Sequence, residues 1–195
     1  MNSLKPSSLF SKSSSGSSNG LAPDFLDYLA IKNTLSLYCV ALDTKDFDLL
    51  HEVFTEDVEA FYPFASMRGI PELSNRIGRR LAPATSQHAL TTQHINFPPS
   101  QPTTKKKSGG KGPTSASVMT YFTATHFGKG EWVGRTLTTY GKYIDELIKV
   151  ADEDEYEGEG GGQWRICRRE VKFMARIGDE RIMTASGRQS ARSDS

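Results

Sequence analysis

The apolar positions of the chain change period twice. Between Asp24 and Asp43, Tyr28, Ile31, Leu35, Tyr38 and Leu42 recur at intervals of three and four, with Pro23 placed to start a helix. This pattern predicts a first helix ending near Asp43. A short second helix over about residues 47–54 follows, with Asp46 as its N-cap and Leu49, Leu50, Val53 and Phe54 on its buried side. Val58, Ala60 and Tyr62 then alternate with Glu59, Phe61 and Pro63, the signature of a short strand closed by a proline. In GIPELSNRIGRRLAP, residues 69–83, the helical interval returns through Ile70, Leu73, Ile77 and Leu81, and Pro83 stops it.

Beyond Pro83 the period becomes that of strands. Four segments, 86–97, 115–127, 132–150 and 163–175, are dense in Thr, Val, Ile and aromatic residues. Helices first and a meander of long strands afterwards is an α+β pattern. Two low-complexity insertions separate strands: a Pro/Gly/Ser segment with four lysines at 98–113 and an acidic, glycine-ended segment at 151–162. Both read as solvated hairpin loops. A serine-rich stretch over residues 1–22 offers nothing to bury and is expected to be a flexible tail, as is the polar segment 177–195. The expected domain therefore spans 23–176, with flexible insertions at 98–114 and 151–162.

Charge and composition narrow the function classes. The 195 residues carry 24 Lys+Arg against 23 Asp+Glu, a formal net charge of +1, so no global field favours nucleic acid or an acidic membrane. No run of about eighteen apolar residues predicts a membrane span, and no secretory-type apolar core opens the chain, which points to a soluble, cytoplasmic protein. Cys39 and Cys167 match no metal-ligand or redox spacing and are expected to be small buried residues. No phosphate-binding glycine loop or nucleophile elbow is present.

Chemistry centres on the histidines. His51 falls opposite the apolar side of the second helix and is expected at the surface. At period two, His88, Leu90, Thr92 and His94 share one strand face, and His126 ends an apolar face made by Ala116, Val118, Thr120, Phe122 and Ala124. A histidine near neutrality suits acid/base work, and a carboxylate such as Asp43 would orient one if the helix end abuts the sheet. Tyr38 and Asp43 are five residues apart, about 500° of ideal helix, so one shared pocket requires the helix to end or loosen before Asp43.

Tyr38-x4-Asp43 followed by DTKDFDLLHEVFTEDVEAFY, then GIPEL, SQH, a strand ending ATHFG, YGKYIDEL and GQWRICRREV, resembles the SnoaL-like group of the nuclear transport factor 2-like superfamily over about residues 24–175. That group includes polyketide cyclases, scytalone dehydratase, bile-acid dehydratases and fungal meroterpenoid isomerases. The resemblance implies a cone of helices packed on a strongly curved mixed sheet around an apolar pocket. It also implies catalysis without metal or organic cofactor.

By the same resemblance, Asp43 and His88 match the helix-end aspartate and the catalytic histidine. Tyr38 matches the helix tyrosine of the bile-acid dehydratase pattern, Tyr62 matches a substrate-facing tyrosine of the scytalone dehydratase pattern, and His126 matches that enzyme's second histidine. The Ser and Asn of scytalone dehydratase on the following strand are replaced by Gly141 and Tyr143, which argues against the same substrate. The function implied is a cofactor-independent dehydratase, isomerase or cyclase acting on an apolar oxygenated molecule such as a polyketide or terpenoid intermediate. The alternative is a non-catalytic binding or interaction module of the same fold. The expected partner is a small molecule, not nucleic acid or membrane, and the resemblance implies a dimer or trimer.

Overall fold

The computed structural model describes residues 21–98, 114–150 and 163–184; the serine-rich tail and most of the two insertions lie outside them. A long helix α1 (Leu21–Thr44) leads through a 3-10 turn (Phe47–Leu49) into a four-residue helix α2 (Leu50–Val53). Strands β1 (Phe54–Tyr62) and β2 (Ala65–Arg68), helix α3 (Ile70–Leu81), and the long strands β3 (Ala84–Asn96), β4 (Ser115–Gly128), β5 (Thr136–Val150) and β6 (Gln163–Gly178) follow. The six strands form one mixed sheet in the order β2-β1-β6-β5-β4-β3. All neighbours are antiparallel except β1 with β6, which are parallel. Helices on one face of a curved sheet are the expected α+β architecture.

The predicted stripes are the buried ones. Ile31, Leu35, Tyr38 and Leu42 of α1 and Ile70, Leu73, Ile77 and Leu81 of α3 are all buried, and only Tyr28, at the start of the α1 stripe, is partly exposed. On β4 and β5 the inward residues alternate strictly, Ala116 to His126 and Leu137 to Leu147. By length and composition α1 is the one described helix that would span a membrane, and here its apolar stripe packs into the core of the domain. It is tied to β6 at two points: Thr34 Oγ1 donates to the Trp164 carbonyl at 2.8 Å, and Trp164 Nε1 donates to Asp27 Oδ1 at 2.8 Å.

Several expectations are corrected. The second helix is split into a 3-10 turn and a single α-helical turn, Asp46 makes no side-chain cap bond, and the strand expected from Val58 already begins at Phe54. The short β2 was not predicted, and residues 130–132 form a 3-10 turn, so β5 begins at Thr136 rather than at residue 132. The ordered chain also extends beyond residue 176: β6 continues to Gly178, and a 3-10 turn (Glu180–Met183) buries Ile182 completely. Isolated apolar residues in a polar segment are enough to dock it. Cys39 is buried as expected, but Cys167 is partly exposed.

His88 and His94 do not share a face. The β3 register against β4 shifts between Leu90 and Gln93, so Thr91 and Thr92 together oppose one residue of β4. This bulge reverses the alternation: His88 faces inward with Leu90, whereas Ile95 replaces His94 on the inner face and His94 is exposed. Bulges of the same kind interrupt β6 at Cys167, between the pairs Leu147–Ile166 and Glu146–Arg168, and at Met174, between Gly141–Phe173 and Tyr140–Ala175.

Candidate active site

The concave face of the sheet, α1, α3 and the last 3-10 turn enclose a cleft of about 550 Å³ of atom-free space, its open mouth included. Tyr38, Tyr62, His88 and His126 all line it. Asp43 does not, and α1 neither ends nor loosens before it, since the helix is continuous to Thr44. The wheel separation of Tyr38 and Asp43 is resolved differently: Tyr38 and Leu42 line the cleft from one face of α1, while Asp43 leaves its flank toward β3. There Asp43 Oδ1 lies 2.7 Å from His88 Nδ1, and Oδ2 accepts from the His88 backbone amide at 2.8 Å. Ser86 Oγ donates to Oδ1 at 3.0 Å.

Partial burial works to raise the Asp43 pKa, but the bonds from the His88 ring and amide and from Ser86 outweigh it and hold the carboxyl below its ordinary value. An ionised Asp43 can only accept, so His88 Nδ1 carries hydrogen and Nε2 is left as the basic ring nitrogen on the cleft side. Lys45 completes the helix end. In the left-handed region at φ 63°, it folds its Nζ back to the Leu42 carbonyl and to Ser86 Oγ, both at 2.9 Å. A backbone conformation unusual for lysine is held by two bonds that also brace the serine beneath Asp43.

His126 stands with its ring perpendicular to that of His88, centroids 5.9 Å apart. Burial, then the neighbouring His88, pulls its pKa down to about 4, so the imidazole is neutral at pH 7. His51 lies at the surface against Glu56, as expected.

Across the cleft the hydroxyls of Tyr38 and Tyr62 are 2.7 Å apart. Burial raises both pKa values, and both remain phenols. One hydroxyl donates to the other, which leaves the second O–H free to donate into the cleft.

Sequence reasoning missed the residue beneath Tyr38. The Arg169 guanidinium lies 4.1 Å from the centroid of Tyr38 and 4.3 Å from that of Tyr143. Both it and its bidentate partner Asp145, at 2.7 Å through Nε and Nη2, are fully buried. Burial opposes the charge on Arg169, but Asp145 outweighs it and keeps the guanidinium ionised. Alternation counted from Trp164 and Ile166 would send Arg169 outward; the bulge at Cys167 turns it in. Gly141 and Tyr143 also gain a meaning. Tyr143 stacks on Phe122 at 4.2 Å, and a Cβ on Gly141 would come within 2.6 Å of the Phe122 ring. Gly141 and Tyr143 thus belong to an aromatic wall with Phe122. Among the described residues no group of three His, Cys, Asp or Glu side chains converges to hold a metal ion.

Residues 23–170 match the SnoaL-like domain family, well over half of the chain. The chain belongs to that family. Solved structures agree with this fold of the nuclear transport factor 2-like superfamily. A candidate scytalone dehydratase from Novosphingobium aromaticivorans DSM 12444 is similar with a TM-score of 0.62 at 21% identity, over 80% of this chain and 89% of that one. A hexachlorocyclohexane dehydrochlorinase, LinA-type3, from Novosphingobium barchaimii LL02 is similar with a TM-score of 0.60 at 10% identity, over 82% and 94%. No curated protein sequence matches the chain. At these identities the structural likeness establishes the fold of this SnoaL-like domain, and the reading of its chemistry rests on the site.

Proposed function

We propose that this SnoaL-like domain is a cofactor-independent acid/base enzyme acting on an apolar, oxygenated small molecule of the polyketide or terpenoid kind, as a dehydratase, isomerase or cyclase. One observation carries the reading: Asp43 fixes both the ring and the backbone of His88, so that Nε2 is the free base in a cleft whose other wall carries a tyrosine hydroxyl pair. The similarity to proteins named as a dehydratase and a dehydrochlorinase is consistent with it, since both names describe elimination.

The step follows from the groups present. His88 Nε2 takes a proton from carbon next to a carbonyl, the C–H electron pair becomes a C=C bond, and the carbonyl π pair moves onto oxygen, which receives a hydrogen bond from the free tyrosine O–H. Re-forming the carbonyl then expels a β-hydroxyl, which leaves as water with the proton from His88. Return of that proton to another carbon is isomerisation instead, and attack of the enolate on a second carbonyl is cyclisation. His126 is neutral and directs Nδ1 toward the Leu137 carbonyl at 3.4 Å. Proton return therefore falls to His88, and His126 acts as an acceptor that positions a substrate hydroxyl.

Proton abstraction is measurable before the natural substrate is known. Oxygenated bicyclic and polycyclic ketones are incubated in deuterium oxide, and deuterium entry next to the carbonyl is followed by NMR. The wild type accelerates exchange for at least one ketone, and His88→Ala and Asp43→Asn do not. Binding without accelerated exchange across the panel would favour the alternative, a non-catalytic binding module.

A further inference from the structure

The side chains lining the cleft include Arg80 of α3 and Arg176 of β6 but no carboxylate. Both arginines are partly exposed, as groups at the mouth must be, and both lie over aromatic rings: Arg80 at 4.3 Å from the Phe64 centroid and Arg176 at 5.8 Å from that of Phe173. Among the described residues no acidic group lies within ion-pair distance of Arg80. Arg176 has one acidic neighbour, exposed Glu180 at 2.9 Å, while its Nε is buried with no hydrogen-bond partner among the described residues.

Arg176 would not face the cleft at all without the bulge at Met174, because Phe173 takes the preceding inward position. Among the described residues, two guanidinium groups and one carboxylate leave this mouth with a surplus of one positive charge. Burial and then Arg176 lower the Arg80 pKa, in agreement with two cations held near each other. A neutral ligand closing over them would strip water from unpaired charge without replacing it, whereas a planar anion would meet their donors in fork geometry.

We propose that Arg80 and Arg176 form an anion-recognition pair at the mouth of the cleft, selecting substrates whose apolar body carries a single carboxylate. The surplus of one charge matches a monoanion. This assignment rests on the cleft being the substrate site, as in the reading above, but not on His88 being a base.

The test is titration calorimetry with 2-naphthoate, its uncharged analogue 2-naphthamide, and 2-naphthyl phosphate. Wild type is expected to bind naphthoate about tenfold or more tighter than the amide, with the ratio shrinking at high salt. Arg80→Gln brings the ratio toward one, Arg80→Lys retains part of it, and His88→Ala leaves it unchanged. Because preference is read in a variant without the proposed base, failed exchange chemistry and failed anion recognition give different results. Equal affinity for acid and amide in the wild type, a ratio insensitive to both salt and Arg80→Gln, or its loss in His88→Ala would overturn the proposal. So would tighter binding of the phosphate, or no binding of any of the three ligands. The salt dependence in wild type needs no variant to fold.

Discussion

Asp43 grips His88 at two points, its Oδ1 on ring Nδ1 and its Oδ2 on the backbone amide of the same residue. Asparagine cannot reproduce this. With its oxygen toward the ring, its NH2 opposes the amide N–H. With its oxygen toward the amide, its NH2 forces the ring proton onto Nε2 and removes the base. Asp43→Asn is therefore expected to lower kcat by about 10²- to 10⁴-fold with a small change in KM. Steady-state kinetics on any ketone that shows exchange, with nitrogen NMR of the His88 tautomer, checks both halves of the claim.

The tyrosine pair makes a distinct prediction. If Tyr38 and Tyr62 deliver one hydrogen bond between them, Tyr38→Phe and Tyr62→Phe each cost about 10- to 100-fold in kcat, and the double variant costs little more than the worse single one. Two independent donors would instead give multiplied losses in a double-mutant cycle.

Arg169→Met leaves Asp145 buried without its partner, and unfolding free energy in urea is expected to fall by about 3–5 kcal/mol. Pairing it with Asp145→Leu should recover much of that loss, because neither charge is then left alone. A double variant no more stable than Arg169→Met would show that the pair is not what Arg169 contributes.

His126 makes stability depend on pH. Its pKa is about 4 when folded, against an ordinary 6.5 when unfolded, so between these values the unfolded chain binds a proton that the folded one refuses. The contribution is present in full above pH 6.5 and is lost as pH falls toward 4, by roughly 3 kcal/mol in all. Asp43, with its pKa held below the ordinary carboxylate value, adds a further loss at pH values near and below 3.8. Urea midpoints measured from pH 7 to 4 should fall steadily in wild type and much less in His126→Gln.

Most of the fold was legible because period and burial coincide wherever elements are regular. The stripes of α1 and α3 and the inward row of β4 were read correctly from spacing alone. Tyr38, Asp43, Tyr62, His88 and His126 were singled out by residue type together with the family resemblance, and the structure places four of them on one cleft and Asp43 behind it against His88. The errors cluster where local geometry breaks the period. The bulge at Thr91 and Thr92 moved His94 outward, and α1 runs on through Asp43 because that carboxylate need not enter the cleft with Tyr38: it reaches the site through His88. Arg169 was missed because a charged residue in an alternating strand reads as solvent-facing. The only available signal was its sequence run, Arg168-Arg169, in which either arginine alone satisfies the outer face.

The three bulges carry a consequence for divergence. A strand that gains or loses one residue exchanges its entire downstream set of cavity side chains for the neighbouring set, with no substitution at all. In β6 such events decide whether Arg169 or Arg168 turns into the core beneath Tyr38, and whether Arg176 or Ala175 lines the cleft. Relatives that accept different molecules are then best compared by aligning where their strands slip, since a single-residue insertion inside the sheet can rewrite a binding surface that column-by-column identity reports as unchanged.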